Sequence, residues 1–487
     1  MKTVVKIDPE KEYSKAKEAL ESISTTADIA KIGKIDDSLD NMKTVINVLI
    51  ERLSPNKRVK PKNSNPSKNK KKSRDRIDRK PSEKFPELSV EENILKLDPP
   101  PKCSLCCGEM KESGLFKISE KLEVIPKQYY ITRNKRVVYN CGSCNGCLMN
   151  APAKPSISPH SNYGDSLIMD ATLSKYCDLI PMERYGSMAS REGLEGIPPN
   201  TLIGLTHIYA DFLKKVYQGL KLEVCASELV RADETPHKML EGDDTKNWYL
   251  WGFSSRHTCY IEAHNTRSGD VPIKFLKDTT AKYLLTDGYS GYKRALKELI
   301  KEDKKIFEIF CNAHAVRYFK EASLTWESET EPFLKLYGDI YKLEKEAKNK
   351  EERVIARKMM GPLFIELKKK CEKLQPEVMP ESKLEKALNY FLNHYEGLTR
   401  CLSDTIIPLD NNQLERQLRS PVVGRKTWYG THSKRGARTA AAMFSIVESC
   451  KLNNLNPRKY FSWVTERILH KEDILTPYQY ANLPDSG

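Results

Sequence analysis

The sequence predicts a multidomain α/β protein, because the chain is too long for one core and its character changes along its length. At roughly 150 residues per domain, 487 residues suggest about three domains. Short β-rich runs begin near residue 229, and helical and strand segments alternate after them, which indicates a mixed sheet. The segment 326–408 is then almost wholly helical, as expected of an insertion into that sheet domain.

The charge and the hydropathy of the chain favour a nucleic-acid-binding protein and argue against a membrane protein. The formal net charge is +15, which points to a polyanionic partner such as nucleic acid. No apolar run approaches the roughly 18 residues that span a bilayer, and the first eight residues carry three charges instead of a signal-peptide core. We therefore expect no membrane association and a cytoplasmic protein.

A basic tract at residues 57–80 carries much of this charge. It contains twelve basic and two acidic residues in a background rich in Pro, Ser and Asn, so it cannot bury a core and is expected to be a disordered arm. The tract either binds phosphate backbones through counterion release or serves as a solvated tether. Both interpretations place a domain boundary there.

Apolar residues ahead of the tract follow alternating spacings of three and four, which indicates a short coiled-coil seam and self-association. An amphipathic helix packed within its own chain is the alternative. The seam residues are Ile32, Ile35, Leu39, Met42, Ile46, Leu49 and Leu53.

Six of the thirteen cysteines fall between Cys103 and Cys147, a clustering that favours metal over disulfides. Two Cys-x-x-Cys pairs can form knuckles around a tetrahedral zinc, and four thiolates leave no open position for catalysis, so the zinc should be structural. Cys107 and Cys147 keep the ligand choice open, and free buried thiols are the alternative. The simplest ligand set is Cys103, Cys106, Cys141 and Cys144.

A Pro-rich connector at residues 151–159 precedes a stretch that is predicted to be mainly helical as far as about residue 223. Within it, GLEGIPPNTLIGLTHIYADFLKKVY combines a turn with apolar residues at helical spacing. This pattern is compatible with a helix-turn-helix that reads a DNA groove, and equally with an ordinary pair of packed helices.

Three acidic residues lie where predicted elements begin or end. Asp233 is expected at the end of a strand, because Pro236 follows, and Asp287 at the end of another, where the next glycine allows a sharp turn. Glu415 is expected on a helix capped by Asp410 or Asn411, four residues before Arg419. Each has an ordinary alternative, since Asp-Gly is a common turn and Glu415 could form a surface ion pair.

The segment around the third acid favours DNA. From Arg416 to Val447 there are seven basic residues and no acid, and Trp428 and Tyr429 could stack on bases. Gathered by one sheet, the three carboxylates would repel one another unless divalent cations such as Mg²⁺ or Mn²⁺ neutralised them. Two such ions support phosphodiester cleavage and transfer without a covalent protein nucleophile.

The order of the motifs VRADETPHK, LLTDGYSGY, CNAHAVRYF and LDNNQLERQLRSPVVGRKTWY resembles bacterial insertion-sequence transposases of the IS66 family, over nearly the whole chain. The resemblance implies an RNase-H-like core with a DDE triad at Asp233, Asp287 and Glu415, interrupted by the helical insertion. It also implies small accessory proteins from the same element. Supporting or DNA-binding roles would fall on His314, Arg317, Arg416, Arg419, Arg425, Lys426 and Trp428. For His314, a core or capping role is the alternative.

The expected protein is thus a Mg²⁺-dependent DDE transposase that acts at the nucleoid, cleaves the terminal repeats of its element and joins the 3′ ends to target DNA. The alternatives are a catalytically inactive DNA-binding or repressor protein and an RNase-H-like nuclease. The expected domains are a helical coiled-coil region (1–56), the basic linker (57–100), a zinc-knuckle module (101–150), a helical region with a possible helix-turn-helix (151–228), the first part of the core (229–325), the helical insertion (326–408), and the last catalytic helix with a basic helical tail (409–487).

Overall fold

The computed structural model describes residues 80–96, 101–102, 104–105, 109–110, 118–141, 148–241 and 247–483. The predicted coiled-coil seam, and all but the last residue of the basic tract, lie outside these ranges. The chain divides into two compact units, one made of residues 1–55 and 133–487 and the other of residues 56–132. Among the described residues, no helix is both long and apolar enough to cross a membrane.

Among its described residues, the smaller unit contains one short helix, α1 (Pro81–Lys84). Ser82 anchors it, because its backbone N–H and its hydroxyl donate hydrogen bonds of 2.9 and 3.0 Å to the carboxylate of Glu120. Further along, an isolated antiparallel bridge joins Lys102 and Glu109. The described chain of this unit is otherwise mostly without helix or strand and exposed.

Seven strands are described in the larger unit, and five of them form its central sheet. They are β1 (Val138–Asn140), β2 (Leu148–Asn150), β3 (Leu229–Lys238), β4 (Asn247–Ser254), β5 (Cys259–His264), β6 (Tyr283–Thr286) and β7 (Phe307–Phe310). The sheet order is β5-β4-β3-β6-β7, with β3, β4 and β5 antiparallel and with β6 and β7 parallel to β3. The prediction of a mixed α/β fold is confirmed.

Helices surround this sheet and form most of the rest of the unit. They are α2 (Asp165–Tyr176), α3 (Met182–Arg191), α4 (Pro199–Phe212), α5 (Lys214–Cys225), α6 (Asp270–Lys277), α7 (Ser290–Lys301), α8 (Asn312–Ala322), α9 (Glu327–Glu346), α10 (Lys350–Leu374), α11 (Lys383–Thr399), α12 (Asn412–Gln417), α13 (Arg419–Trp428), α14 (Lys434–Leu452), α15 (Pro457–Leu469) and α16 (Pro477–Ala481). Short 3₁₀ turns follow α10 and α11, at Gln375–Glu377 and Arg400–Leu402.

Strand β3 runs past the point where the sequence predicts its end. Its parallel pairing with β6 stops at Arg231, but its antiparallel pairing with β4 continues to Lys238. Pro236 does not stop the strand, because its nitrogen lies on the side without a partner strand, where its carbonyl accepts a hydrogen bond from Arg425. The prediction that Asp233 ends this strand is therefore wrong, since the residue lies within β3.

The segment considered as a helix-turn-helix forms packed helices. α4 contacts α2, α3 and α14, and only Leu213 separates it from α5. Residues at the apolar spacing, including Leu202, Tyr209 and Leu220, are fully buried. The pattern therefore corresponds to packing inside the unit, and a role in reading DNA stays a prediction.

Helices α9, α10 and α11 occupy the predicted insertion and share an apolar core with α8 and β7. Large rings such as Phe333, Tyr337, Phe364 and Phe391 are buried within it. The approach of α11 to β7 depends on Gly397, because a Cβ there would lie 2.4 Å from the ring of Phe310. The insertion therefore packs directly against the edge of the sheet.

Helix α14 covers the other edge. It is buried along most of its length, and small residues let it approach β5 closely. The hydroxyls of Ser445 and Ser449 accept hydrogen bonds of 2.8 and 3.0 Å from the backbone N–H groups of Ile261 and Cys259. These contacts satisfy donors that an edge strand would otherwise expose.

Candidate active site

The second acidic residue, Asp287, directly follows β6 at the point where the chain turns. Gly288 has φ +93°, a conformation that favours glycine. The Asp287 carboxylate accepts a hydrogen bond of 2.9 Å from the N–H of Tyr289, and the Tyr390 hydroxyl of α11 donates to its backbone carbonyl at 3.3 Å. Both contacts fix the position of this carboxylate.

The charges of both other predicted acids act on Asp233. Burial raises the pKa of Asp233 well above its ordinary value, and the charges of Glu234, Asp287 and Glu415 raise it further. A hydrogen bond of 2.8 Å from the Glu234 N–H to Asp233 opposes this rise. Backbone geometry agrees, because β3 pairs with β6, and the Asn411 side chain, just before the helix of Glu415, donates a hydrogen bond of 3.3 Å to the Ala232 carbonyl of β3.

Glu415 lies on α12, but its ion-pair partner is not the predicted one. The helix ends before Leu418, so Arg419 begins a separate helix, α13. Glu415 instead contacts Arg317 of α8, with 3.2 Å between Nη2 and Oε2, and His314 of the same helix, with 3.6 Å between Nδ1 and Oε1. The carboxylate is thus held by residues about one hundred positions earlier in the chain.

Cys311 adds a thiol to this group. Its Sγ, a ring nitrogen of His314 and a carboxylate oxygen of Glu415 all lie within 4.8 Å of one another. His314 Nδ1 and Glu415 Oε1 are shielded from solvent and have no hydrogen-bond partner. Unpartnered buried polar atoms are uncommon in folded proteins and require an explanation.

Sequence reasoning missed a buried ion pair next to Asp233. The Glu234 side chain is only 1% exposed, and it accepts hydrogen bonds of 2.8 and 2.6 Å from Arg267 and 2.7 Å from the Tyr292 hydroxyl. Burial raises the pKa of Glu234, while these partners act in the opposite direction. Successive side chains of a strand point to opposite faces, so Asp233 and Glu234 point to opposite faces of β3. This alternation was the sequence signal that Glu234 has a separate environment.

The predicted DNA-contacting residues near α13 differ in exposure. Arg416, Arg419 and Lys426 are exposed, and the first donates from Nε to the Asn412 carbonyl at 3.1 Å. Arg425 is partly buried and is bonded to the β3 backbone, as described above. Three of these four cations are therefore accessible to a polyanion.

Trp428 is packed more closely than a base-stacking role requires. Its ring lies 4.1 Å from the ammonium of Lys175, and a Cβ at Gly424 would approach it to 2.5 Å. Burial lowers the pKa of this lysine to about 8. The tryptophan thus contributes to the core around α2 and α13.

Most of the predicted zinc ligands lie outside the described residues. Cys141 is described, and it directly follows β1, which pairs antiparallel with β2. The isolated bridge between Lys102 and Glu109 similarly flanks the first cysteine cluster in the sequence. Each cluster is therefore bracketed by paired segments of chain.

Comparisons with known proteins agree on one family. Residues 160–439, more than half of the chain, match the family model described as "Transposase IS66 family". Residues 100–145 match the model described as "zinc-finger binding domain of transposase IS66".

Two relatives from Sinorhizobium fredii (strain NBRC 101917 / NGR234) are similar over most of their length. "Uncharacterized protein y4hP" is 25% identical over 405 residues, which cover 78% of this chain and 72% of the relative. "Uncharacterized protein y4jD" is 27% identical over 387 residues, which cover 75% of this chain and 74% of the relative.

Proposed function

The chain belongs to the IS66 transposase family, and we propose that it cleaves the ends of an insertion sequence and transfers the freed 3′ ends to target DNA. Family membership makes it a DNA-binding transposase with a zinc-finger domain. The specific chemistry, the residues that perform it and the substrates are our proposal. The observation that supports the proposal is that β3, which carries Asp233, pairs with β6, which Asp287 follows, and that the Asn411 side chain, just before the helix of Glu415, donates to the Ala232 carbonyl of β3 at 3.3 Å.

The sheet supports an RNase-H-like core. An antiparallel three-stranded meander is extended by two parallel strands on the side of its first strand, and helices connect the parallel steps. Asp233 lies on β3, Asp287 directly follows the adjacent strand β6, and the Asn411 side chain joins the start of α12 to β3 after the helical segment. This arrangement supports a DDE triad.

The carboxylates fit a pair of hard divalent cations. Burial and the neighbouring acids raise the pKa of Asp233, and the buried Oε1 of Glu415 accepts no hydrogen bond, so this oxygen can serve as a metal ligand. Oxygen ligands of this kind suit Mg²⁺ or Mn²⁺. When bound, two such ions would activate water or a DNA 3′-hydroxyl and stabilise the leaving 3′ oxygen.

The protein residues orient these ligands and the DNA. The Glu234 N–H holds one oxygen of Asp233, and the Tyr289 N–H holds one oxygen of Asp287. Arg317 is half-exposed beside Glu415, where it can contact a backbone phosphate. The exposed residues Arg416 and Lys426 would extend the phosphate contacts along α12 and α13.

We also propose Cys103, Cys106, Cys141 and Cys144 as the ligands of a structural zinc. The two Cys-x-x-Cys spacings and the zinc-finger match support this set. The partners would be the terminal repeats of the element and target DNA, with a homo-oligomer formed through the N-terminal heptads and accessory proteins of the same element.

The test is metal-dependent nicking of a duplex that carries the end of the encoding element. Asp287→Asn and Glu415→Gln should each reduce nicking by at least about 100-fold, because losing even an outer-sphere partner of a metal typically costs 10–100-fold. Binding of the same duplex, measured by gel shift, should be retained.

The control is Asp270→Asn, which alters an exposed acid paired with Arg294. Nicking by this variant should equal that of the wild type. Undiminished nicking by Asp287→Asn or Glu415→Gln would refute the triad assignment. A wild-type chain that binds the duplex without cleaving it would instead indicate a non-catalytic DNA-binding protein.

A further inference from the structure

We propose that Cys311, His314 and Glu415 form a second metal site, which binds a thiophilic divalent cation of the zinc class. A thiolate, an imidazole and a carboxylate together suit Zn²⁺ better than Mg²⁺, which prefers oxygen ligands alone. The ligand atoms already lie within 4.8 Å of one another. The site shares only Glu415 with the proposed catalytic triad, and its effect on catalysis rests on the proposed function.

Local geometry prepares the cysteine as a ligand. Cys311 directly precedes α8 and His314 is the third residue of that helix, so both belong to its first turn. The Cys311 Sγ accepts a hydrogen bond of 3.2 Å from the backbone N–H of Asn411, and the His314 N–H donates to the Cys311 carbonyl at 3.1 Å. Burial raises the pKa of this thiol to about 12, and the Asn411 N–H opposes the rise. The hydrogen bond orients the sulfur as a ligand, and a bound cation would release the thiol proton to solvent.

The other two ligands have atoms available. His314 Nδ1 and Glu415 Oε1 lie 3.6 Å apart, are shielded from solvent and have no hydrogen-bond partner. A cation bound to both would satisfy two buried polar atoms that otherwise make no hydrogen bond and face only each other. Three protein ligands leave the fourth tetrahedral position for water.

Arg317 controls this site in the metal-free protein. Its guanidinium lies 3.2 Å from Glu415 Oε2 and 3.1 Å from His314 Nε2. Since arginine can only donate, Nε2 accepts, and the neutral imidazole carries its proton on Nδ1. Metal binding through Nδ1 moves that proton to Nε2 and requires the guanidinium to leave. The Arg317 side chain is 50% exposed and can swing into solvent.

The consequence is competition between two classes of cation. Glu415 held by zinc together with Cys311 and His314 is withdrawn from the proposed Mg²⁺ pair. Zinc should therefore inhibit Mg²⁺-supported cleavage, and Arg317 should set the zinc concentration at which this happens.

Cobalt(II) is a suitable probe, because cysteinate ligation gives it a charge-transfer absorption band. The full chain, purified with its structural zinc retained, should bind one further Co²⁺ with this band. Cys311→Ala and His314→Ala should each weaken this binding by roughly 10-fold or more. Arg317→Met should strengthen it. Cys371→Ala is the matched control, because Cys371 is also fully buried but lies in α10.

The outcomes separate this site from the proposed function. A wild-type chain that takes up no further cobalt, or a Cys311→Ala chain that binds it as tightly as the wild type, overturns the site whatever the cleavage assay shows. Cobalt binding that depends on Cys311 in a chain without nuclease activity supports the site and refutes the proposed function. In an active chain, Cys311→Ala should need roughly 10-fold more zinc for inhibition, and equal sensitivity would overturn the competition.

Discussion

Replacing Asp233 with asparagine should stabilise the metal-free protein while removing much of its response to Mg²⁺. Burial and three neighbouring acids raise the pKa of this carboxyl in the folded state, whereas the unfolded chain has no such constraint. The folded protein therefore loses stability at this residue as the pH rises from about 4 toward neutrality. Asparagine has nearly the same shape, and its oxygen can keep the hydrogen bond from the Glu234 N–H.

The size of the effect follows from the charges. At an effective dielectric constant of about 20, two like charges repel by roughly 4 kcal/mol at about 4 Å and by less at greater separation, and protonation relieves part of this cost. We therefore expect Asp233→Asn to raise the free energy of unfolding by about 1–3 kcal/mol at neutral pH without divalent cations. The wild type should gain about 1.4 kcal/mol per bound ion for each tenfold rise in Mg²⁺ above its dissociation constant.

Urea unfolding with and without Mg²⁺ measures both quantities. The control is Asp270→Asn, which replaces an exposed acid. It should change the metal-free stability by no more than about 0.5 kcal/mol and should leave the response to Mg²⁺ unchanged. An Asp233→Asn chain that is less stable without metal, or that responds to Mg²⁺ like the wild type, would refute the reasoning that these carboxylates repel one another in a cation site.

Three further predictions concern packing and charge elsewhere. Burial and the charge of Arg425 lower the pKa of His237 from 6.5 to about 4. The neutral His237 therefore stabilises the fold near neutral pH, and this stabilisation is lost as the pH falls from about 6.5 through 4. When the pH is lowered from about 7 to 4.5, the free energy of unfolding measured in urea should fall by about 2–3 kcal/mol more in the wild type than in His237→Gln. Equal decreases in the two proteins would contradict this. Gly397→Ala should lower the free energy of unfolding by about 1–3 kcal/mol, because the added Cβ would overlap the Phe310 ring. The control Gly338→Ala, which has open space around the added Cβ, should not lower it. Arg267→Met should cost about 3 kcal/mol by leaving the buried Glu234 without its ion-pair partner, and adding Glu234→Gln should recover most of this loss. Failure of the double variant to recover would show that Arg267 acts through packing instead.

Local sequence signals predicted the sheet and one of its acids. The apolar run before Asp287 is strand β6, and the following glycine adopts the positive φ that the turn requires. Such features depend on the residues themselves and on their immediate neighbours. The mixed order of strands and helices follows from the same kind of local information.

Features that depend on partners distant in sequence could not be predicted in this way. β3 continues past Asp233 because β4 is long enough to pair with it as far as Lys238. Glu415 pairs with Arg317 and not with Arg419, because its helix stops at Gln417. The residues next to Asp233 and Glu415 in the sequence do not determine the length of a partner strand or the approach of α8 to α12.

Burial was the other missing information. The basic and aromatic composition around Trp428 suggested a surface that stacks on bases, but the ring lies against Lys175 in the core of this unit. Cys311 was one of several scattered cysteines in the sequence, and only the fold brings it to His314 and Glu415. For both Trp428 and Cys311, the surroundings of the side chain in the fold, and not the residue type, determine which contacts it makes.

The most direct test of the account is anomalous diffraction from crystals of the protein soaked in Mn²⁺. The account predicts manganese peaks coordinated by carboxylate oxygens of Asp233, Asp287 and Glu415, with Arg317 displaced from the last of these. Crystals that show no manganese at these three residues at saturating Mn²⁺, with Glu415 still paired to Arg317, would contradict it.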